Sequence, residues 1–172
     1  MNNQQQIEEW FLSYGDNINN FLVYYTGSSE VEDMVQETFL RAMRGMENFK
    51  GKSSPKAWLS SIARNVAIDF SRKQKRTPIP SIISDNIAAT DKSPEETVVI
   101  LDSTREVLTV LQQMNQNFRN VLTLRGIQGL SSAETASILG WSQTRVNVTY
   151  HRAIKAARSR LNIPAKGRTS ND

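Results

Sequence analysis

Side chains suited to contacting nucleic acid are concentrated in residues 142–158, where polar and basic types recur at helical spacing. Hydroxyls, amides and arginine can hydrogen-bond to the edges of bases, whereas lysine and arginine can neutralise phosphates. The first group comes early in the segment and the cations come late. The candidates are Ser142, Gln143, Thr144, Arg145, Asn147, Val148, Thr149, His151, Arg152, Lys155 and Arg158. This order is expected of a helix that enters the major groove by its N-terminus.

The residues before this segment predict a helix-turn-helix. Ser131 and Glu134 form a capping-box pattern for a short helix over 132–139, and Gly140 can take the left-handed conformation that ends such a helix. Ser142 then caps a second, longer helix with one apolar and one polar face. An ordinary amphipathic hairpin is the alternative, which the one-sided charge disfavours.

A second basic cluster lies close to aromatic residues in the stretch 47–76. Residues 51–80 carry seven basic residues and one acidic residue. This combination suits single-stranded or opened nucleic acid, because phosphates need cations and unstacked bases need apolar surfaces. The residues off the apolar stripe or at the helix end are Arg64, Asn65, Arg72, Lys73, Lys75 and Arg76. A solvated helix end is the alternative.

The predicted helix over residues 30–47 has an unbroken apolar stripe and an opposite polar face. Ser29 and Glu32 form a capping-box pattern at its start. The polar face holds Asp33, Gln36, Glu37, Leu40, Arg41 and Arg44. Such a face is either solvated or binds another protein, and the residues alone leave both possibilities open.

Several kinds of site are excluded by composition. There is no cysteine, and His151 is the single histidine, so thiolate chemistry and histidine clusters for metals are ruled out. Gly51 to Ser54 resemble the end of a phosphate loop, but the required earlier glycine and preceding strand are missing. The first ten residues lack a signal-peptide pattern. We therefore expect a cytoplasmic protein that is not an enzyme and has no metal, cofactor or small-molecule substrate.

The hydrophobic periodicity predicts an all-α chain with two small helical domains. The domains span residues 1–76 and 93–163, a polar, proline-containing linker spans 77–92, and a polar tail spans 164–172. The net charge of +4 is unevenly distributed, with basic excess in residues 51–80 and 106–172. Two basic blocks suggest two contacts with a polyanion. The linker should let the two domains sample many relative orientations.

Three segments together resemble the extracytoplasmic-function (ECF) sigma factors of the sigma-70 family. The segments are EDMVQETFLRA (32–42), WLSSIARNVAIDFSRKQKR (58–76) and LTLRGIQGLSSAETASILGWSQTRVNVTYHRAIKAARSRL (122–161). The resemblance implies a sigma region 2 domain, a sigma region 4 domain and their functions. Within the recognition helix only Val146 of the common family pattern is kept over residues 144–149, so the preferred −35 sequence should differ from that of relatives.

The resemblance also assigns roles to residues. It implies that core RNA polymerase is bound by Asp33, Gln36, Glu37, Phe39 and Arg41. It implies that the −10 element is bound by Lys52, Ser53, Arg64, Asn65, Asp69, Arg72, Lys73, Lys75 and Arg76. The candidates in residues 142–158 would then bind the −35 element.

The function predicted on this basis is an alternative sigma factor that binds core RNA polymerase and promoter DNA and directs transcription initiation. The resemblance further implies an anti-sigma factor, membrane-linked by the family's pattern, that clamps the two domains. A dimeric helix-turn-helix regulator without polymerase binding is the alternative, but it leaves the polar face of residues 30–47 unexplained. A pure protein-interaction module would leave the two basic blocks unexplained.

Overall fold

The computed structural model describes residues 2–76 and 94–161, without the side chains of 75–76 and 94–103. The N-terminal part consists of α1 (Asn3–Thr26), α2 (Glu32–Gly45), a 3-10 turn (Met46–Asn48) and α3 (Pro55–Arg76). The C-terminal part consists of α4 (Pro94–Gln113), α5 (Gln116–Val121), a π-helical segment (Leu122–Ile127), α6 (Ser132–Leu139) and α7 (Gln143–Arg160). The described ranges contain no strand, which confirms the all-α prediction. The predicted linker and tail lie outside them.

The N-terminal core forms where α1, α2 and α3 pack against one another. Ile18, Phe21 and Leu22 on α1 and Leu59 and Val66 on α3 are completely buried. Each such side chain contributes about 1.5–3 kcal/mol on leaving water. The C-terminal helices gather a second cluster around residues 110–122 and Ala153.

The start of α2 differs from the prediction. The helix begins at Glu32 after Val31, and no side chain caps it. Ser29 is therefore not the N-cap residue. Val31 is completely buried, and Glu32 and Asp33 lie in the first turn. The acidic first turn favours the helix start through its dipole, and burial of Val31 anchors the entry to the helix.

The two parts of the chain are packed together. Leu124 and Leu130 from the C-terminal part are buried in the N-terminal core cluster. Gln128 Nε2 donates a hydrogen bond of 3.0 Å to Ser60 Oγ, and both residues are buried. Gln116 Nε2 donates to the Tyr25 hydroxyl at 3.0 Å. The structure therefore presents the domains in one packed arrangement, and the range of orientations expected from the linker stays a prediction.

Candidate nucleic-acid interface

The helix-turn-helix is built by local interactions that the sequence predicts. Ser131 Oγ accepts a hydrogen bond from Glu134 N at 3.0 Å, and Glu134 Oε1 accepts one from Ser131 N at 3.3 Å. Gly140 ends α6 in the left-handed conformation with φ of 68°. Ser142 Oγ accepts from Arg145 N at 3.1 Å and caps α7. These bonds satisfy otherwise unpaired backbone amides, so both helix starts are fixed.

Packing then determines which face of α7 meets solvent. Val146 and Ala153 are completely buried. Because these two residues hold one side of α7 against the rest of the protein, the side chains on its other sides face solvent. Thr149 is half-buried. The other candidates are exposed, namely Ser142, Gln143, Thr144, Arg145, Asn147, Val148, His151, Arg152, Lys155 and Arg158. The structure thus brings the predicted −35 residues together on one accessible surface.

Two of these side chains are held by residues that sequence reasoning missed. The Arg145 guanidinium lies over the Trp141 ring, 3.9 Å from its centroid. Ser132 Oγ donates a hydrogen bond of 2.5 Å to Asn147 Oδ1. Trp141 and Ser132 carry no periodic signal of such a role, because one belongs to the turn and the other opens α6. Only their proximity in the folded chain shows the contacts.

The predicted −10 residues follow α3 and the loop before it. Lys52, Asn65, Arg72 and Lys73 are exposed, and Ser53 is half-buried. Lys73 Nζ lies 6.0 Å from the centroid of the Phe70 ring, which places a cation next to an aromatic surface. Lys75 and Arg76 end α3, and their side chains lie outside the described residues.

Arg64 occupies a different environment from the other −10 candidates. It is half-buried and lies next to Tyr25, whose hydroxyl also accepts the bond from Gln116. Burial raises the pKa of Tyr25, while the charge and hydrogen bond of Arg64 oppose that rise. The phenol therefore stays protonated at neutral pH. Arg64 therefore contacts Tyr25 of α1, which in turn is bonded to Gln116 of the C-terminal part.

The contact between the domains also reaches the loop before α3. Ser54 Oγ donates a hydrogen bond of 2.7 Å to Glu134 Oε2 on α6. This bond is the main cause that lowers the pKa of Glu134, with smaller contributions from Ser131 and Lys56. Ser54 Oγ also accepts from Ala57 N at 3.1 Å and so caps α3. The hydrogen bond between Ser54 and Glu134 therefore holds the helix-turn-helix next to the loop that contains the −10 candidates Lys52 and Ser53.

The predicted polymerase-binding residues divide into surface and core positions. Asp33 and Gln36 are exposed, and Glu37 and Arg41 are half-buried. Phe39 is only 6% exposed, and its ring packs edge-on against Phe11 with centroids 5.0 Å apart. The stripe and polar face of α2 are therefore as predicted. Phe39 lies in the stripe and in the core cluster, and its contact with polymerase stays a prediction.

Arg41 connects the polymerase-binding set to the −10 set. Its Nε donates to Glu37 Oε1 at 2.9 Å, and its Nη1 donates to Asp69 Oδ2 at 2.8 Å. The hydrogen bonds of Glu37 and Asp69 raise the pKa of Arg41. Asp69, a −10 candidate on α3, is thus engaged by a residue of α2.

No helix in the described part of the chain has the length and apolar character needed to cross a membrane. Residues 10–77 match the family Sigma-70 region 2, and residues 104–156 match Sigma-70, region 4. These two matches fall in the N-terminal and C-terminal parts of the fold, respectively.

Proteins with similar sequences are also sigma factors by name. The chain is 35% identical over 157 residues to the ECF RNA polymerase sigma factor SigX of Bacillus subtilis, covering 88% of this chain and 81% of that protein. It is 34% identical over 157 residues to the RNA polymerase sigma factor YlaC of the same organism, covering 89% and 90%. These relatives are sigma factors, which are not enzymes.

Solved structures share the fold. The sigma factor RpoE from Bartonella quintana, co-crystallised with the anti-sigma factor NepR, superposes with a TM-score of 0.77 at 22% identity, covering 94% of this chain and 99% of that one. CnrH, solved in complex with the cytosolic domain of CnrY, gives a TM-score of 0.68 at 21% identity, covering 94% and 91%. At these identities the superpositions show the fold alone. The family matches and the extent of similarity to SigX and YlaC show that this chain belongs to the ECF RNA polymerase sigma factors.

Proposed function

We propose that the chain acts by binding, without catalysis of its own, as an alternative sigma factor in the cytoplasm. Core RNA polymerase binds the outer face of α2, the −10 element binds α3 and the loop before it, and the −35 element binds α7. The observation that carries this proposal is the outward surface of α7. Its first two turns expose groups that hydrogen-bond to bases, and its later turns expose cations.

The −35 contacts follow from the direction of α7. Gln143, Thr144, Arg145 and Asn147 lie at the N-terminal end, which enters the major groove in a helix-turn-helix. The Val148 methyl groups are 44% exposed and suit the methyl group of thymine. Arg152, Lys155 and Arg158 lie further along the helix and suit phosphates. The first set then determines sequence preference and the second set determines affinity.

The −10 contacts involve opened DNA. Asn65 and the cations Arg72 and Lys73 lie on exposed positions of α3, and Lys52 and Ser53 lie in the preceding loop. Moving a base out of the DNA duplex costs a few kcal/mol of stacking energy. Contacts of cations with phosphates and of a pocket with the extruded base must offset this cost. Lys75 and Arg76, which end α3, belong to the same proposed −10 set. Arg64, which is half-buried beside Tyr25, belongs to the same proposed set.

The polymerase contact uses the polar side chains of α2. Asp33, Gln36, Glu37 and Arg41 present two acids, an amide and a guanidinium on one surface. Such mixed charge favours specific pairing with a complementary protein surface. Supporting this assignment, the opposite side of α2 is filled by Phe39 and other buried residues.

Promoter binding requires the two domains to separate. The −10 and −35 elements are 25 base pairs apart by their names, or about 85 Å at about 3.4 Å per base pair. In the packed arrangement Ser54 and Glu134 are hydrogen-bonded. An anti-sigma factor would hold the packed arrangement, and the complex of RpoE with the anti-sigma factor NepR supports this type of partner.

Transcription reconstituted with core polymerase tests the proposal. The wild-type chain should bind the core enzyme and initiate from a library randomised at the −10 and −35 elements. Charge reversal at the exposed Asp33 and at the half-buried Glu37, which is paired with Arg41, should reduce core binding at least tenfold, since surface charges contribute to partner choice more than to folding. Reversal of Glu8 and Glu9, an exposed acidic pair on α1, is the matched control. Equal core binding by both double variants would contradict the assignment of α2.

A further inference from the structure

The side-chain amide of Asn147 is oriented by a residue outside the recognition helix. Ser132, the first residue of α6, donates its hydroxyl hydrogen to Asn147 Oδ1 at 2.5 Å. Ser132 is half-buried, whereas Asn147 is exposed on the outward side of α7. The oxygen and nitrogen of an amide lie on opposite sides of its carbon. A bond from α6 to the oxygen therefore turns the NH2 group away from α6.

We propose that Ser132 is a positioning residue that sets the base preference of Asn147 at the −35 element. The inference rests on the proposed binding of α7 to that element. With one lone pair of its oxygen bonded to Ser132 and the oxygen turned towards α6, Asn147 presents its two N–H donors to the base. Adenine, the usual partner of asparagine in the major groove, presents an N7 acceptor beside an N6 donor and needs both groups of the amide.

The base that matches two donors is guanine. Guanine presents two acceptors in the major groove, N7 and O6, whereas thymine presents one and cytosine presents a donor. The position contacted by Asn147 should therefore prefer guanine, accept thymine less well and disfavour cytosine. Removal of the Ser132 hydroxyl frees the amide to rotate, so that its oxygen can accept from adenine N6.

Substitution of Ser132 can be made without disturbing the helix start. The cap of α6 is the reciprocal pair of Ser131 and Glu134, which does not use the Ser132 side chain. Ser132→Ala removes the hydroxyl at a position where alanine is a good helix former. Ser132→Thr keeps the hydroxyl and is the matched control.

The test is transcription from a library randomised over the −35 element, with holoenzymes of the wild type, Ser132→Ala, Ser132→Thr and Asn147→Ala. Asn147→Ala identifies the base position by flattening its preference. At that position the wild type and Ser132→Thr should prefer guanine, and Ser132→Ala should raise adenine relative to guanine about tenfold. Circular dichroism of each variant reports whether the helices are intact.

Two outcomes would overturn the inference in distinguishable ways. A wild-type preference for adenine, or a Ser132→Ala profile identical to that of the wild type, would remove the role of Ser132 and leave the −35 role of α7 intact. If Asn147→Ala leaves the base preference unchanged at every position, Asn147 does not contact a base. The assignment of this face of α7 to the −35 element would then be wrong.

Discussion

The residues of α7 differ in how firmly the protein holds them before DNA arrives. Arg145 lies on Trp141, and Asn147 is bonded to Ser132, so both enter the groove with restricted rotamers. Restricting a side chain in advance lowers the entropic cost of its contacts. Base preference should therefore depend on these two supports as well as on the contacting residues.

Arg145 should be intolerant of replacement by lysine. The planar guanidinium stacks on Trp141 and leaves its edge available for the N7 and O6 of one guanine, whereas an ammonium can do neither as well. Arg145→Lys should reduce discrimination for guanine at one −35 position by about 1–3 kcal/mol. Because the charge is kept, the salt dependence of promoter binding should not change. The −35 library and a salt titration measure the two effects.

Arg152→Lys is the matched control for that experiment, since Arg152 lies further along the exposed face and should contact phosphate. It should leave every base preference unchanged. The assignment of Arg145 would be contradicted if the two substitutions gave the same promoter profile.

Asp69 should act within the protein and not at the −10 element. Its carboxylate is bonded to Arg41, and the two side chains are 42% and 34% exposed. A pair this exposed contributes less than about 1 kcal/mol to stability. Asp69→Asn should therefore lower the free energy of unfolding only slightly and leave the −10 base preference unchanged. Urea denaturation and a −10 library measure these quantities, with Asn65→Ala as the comparison that should impair open-complex formation.

At the scale of elements, glycine substitutions should have opposite signs in different helices. Gly140 ends α6 with φ of 68°, and an added Cβ would meet nothing within 4 Å. Gly140→Ala should therefore cost about 1–2 kcal/mol through backbone strain alone. Gly15 lies inside α1, where an added Cβ would only touch Phe11 at 4.0 Å. Gly15→Ala should stabilise the protein by about 0.5–1 kcal/mol.

Thermal unfolding of both variants checks these signs. A lower transition temperature for Gly15→Ala would show that the contact of the added methyl group with Phe11 costs more stability than the better helix propensity of alanine provides. An unchanged transition for Gly140→Ala would show that the turn between α6 and α7 relaxes to a conformation that alanine accepts.

The elements themselves could be predicted to different degrees. The capping box at Ser131 and the stop at Gly140 were readable because the bonds involved are local, between residues three or four apart. The pattern at Ser29 was misleading because burial of Val31 determines where α2 begins. Phe39 was assigned to the polymerase surface through the resemblance, although its place in the apolar stripe puts it in the core.

At the scale of the whole molecule, the contact between the domains could not be predicted from the sequence. Its members are single polar residues far apart in the chain, such as Ser60 with Gln128 and Tyr25 with Gln116. No periodicity marks such pairs. Leu124 and Leu130 are apolar residues that would be assigned to the core of their own domain, yet they are buried in the other core. The polar composition of the linker therefore gave no indication of this contact.

Weakening the contact between the domains should favour the separated form that we propose for promoter recognition, and polymerase binding should increase if the core enzyme binds that form. Gln128→Ala removes the hydrogen bond to Ser60. The Ser60 hydroxyl keeps its bond to Lys56 O at 2.7 Å. The substitution should therefore destabilise the packed form relative to the open form by about 1 kcal/mol, or about fivefold. If the core enzyme binds the open form, its apparent affinity rises by up to the same factor.

The chain has no cysteine, so labels placed through Asn20→Cys and Ser159→Cys can report the distance between the domains by energy transfer. Gln113→Ala, at an exposed position on α4, should change neither quantity. Equal transfer efficiency and equal core affinity for Gln128→Ala and the wild type would show that this bond does not hold the domains together.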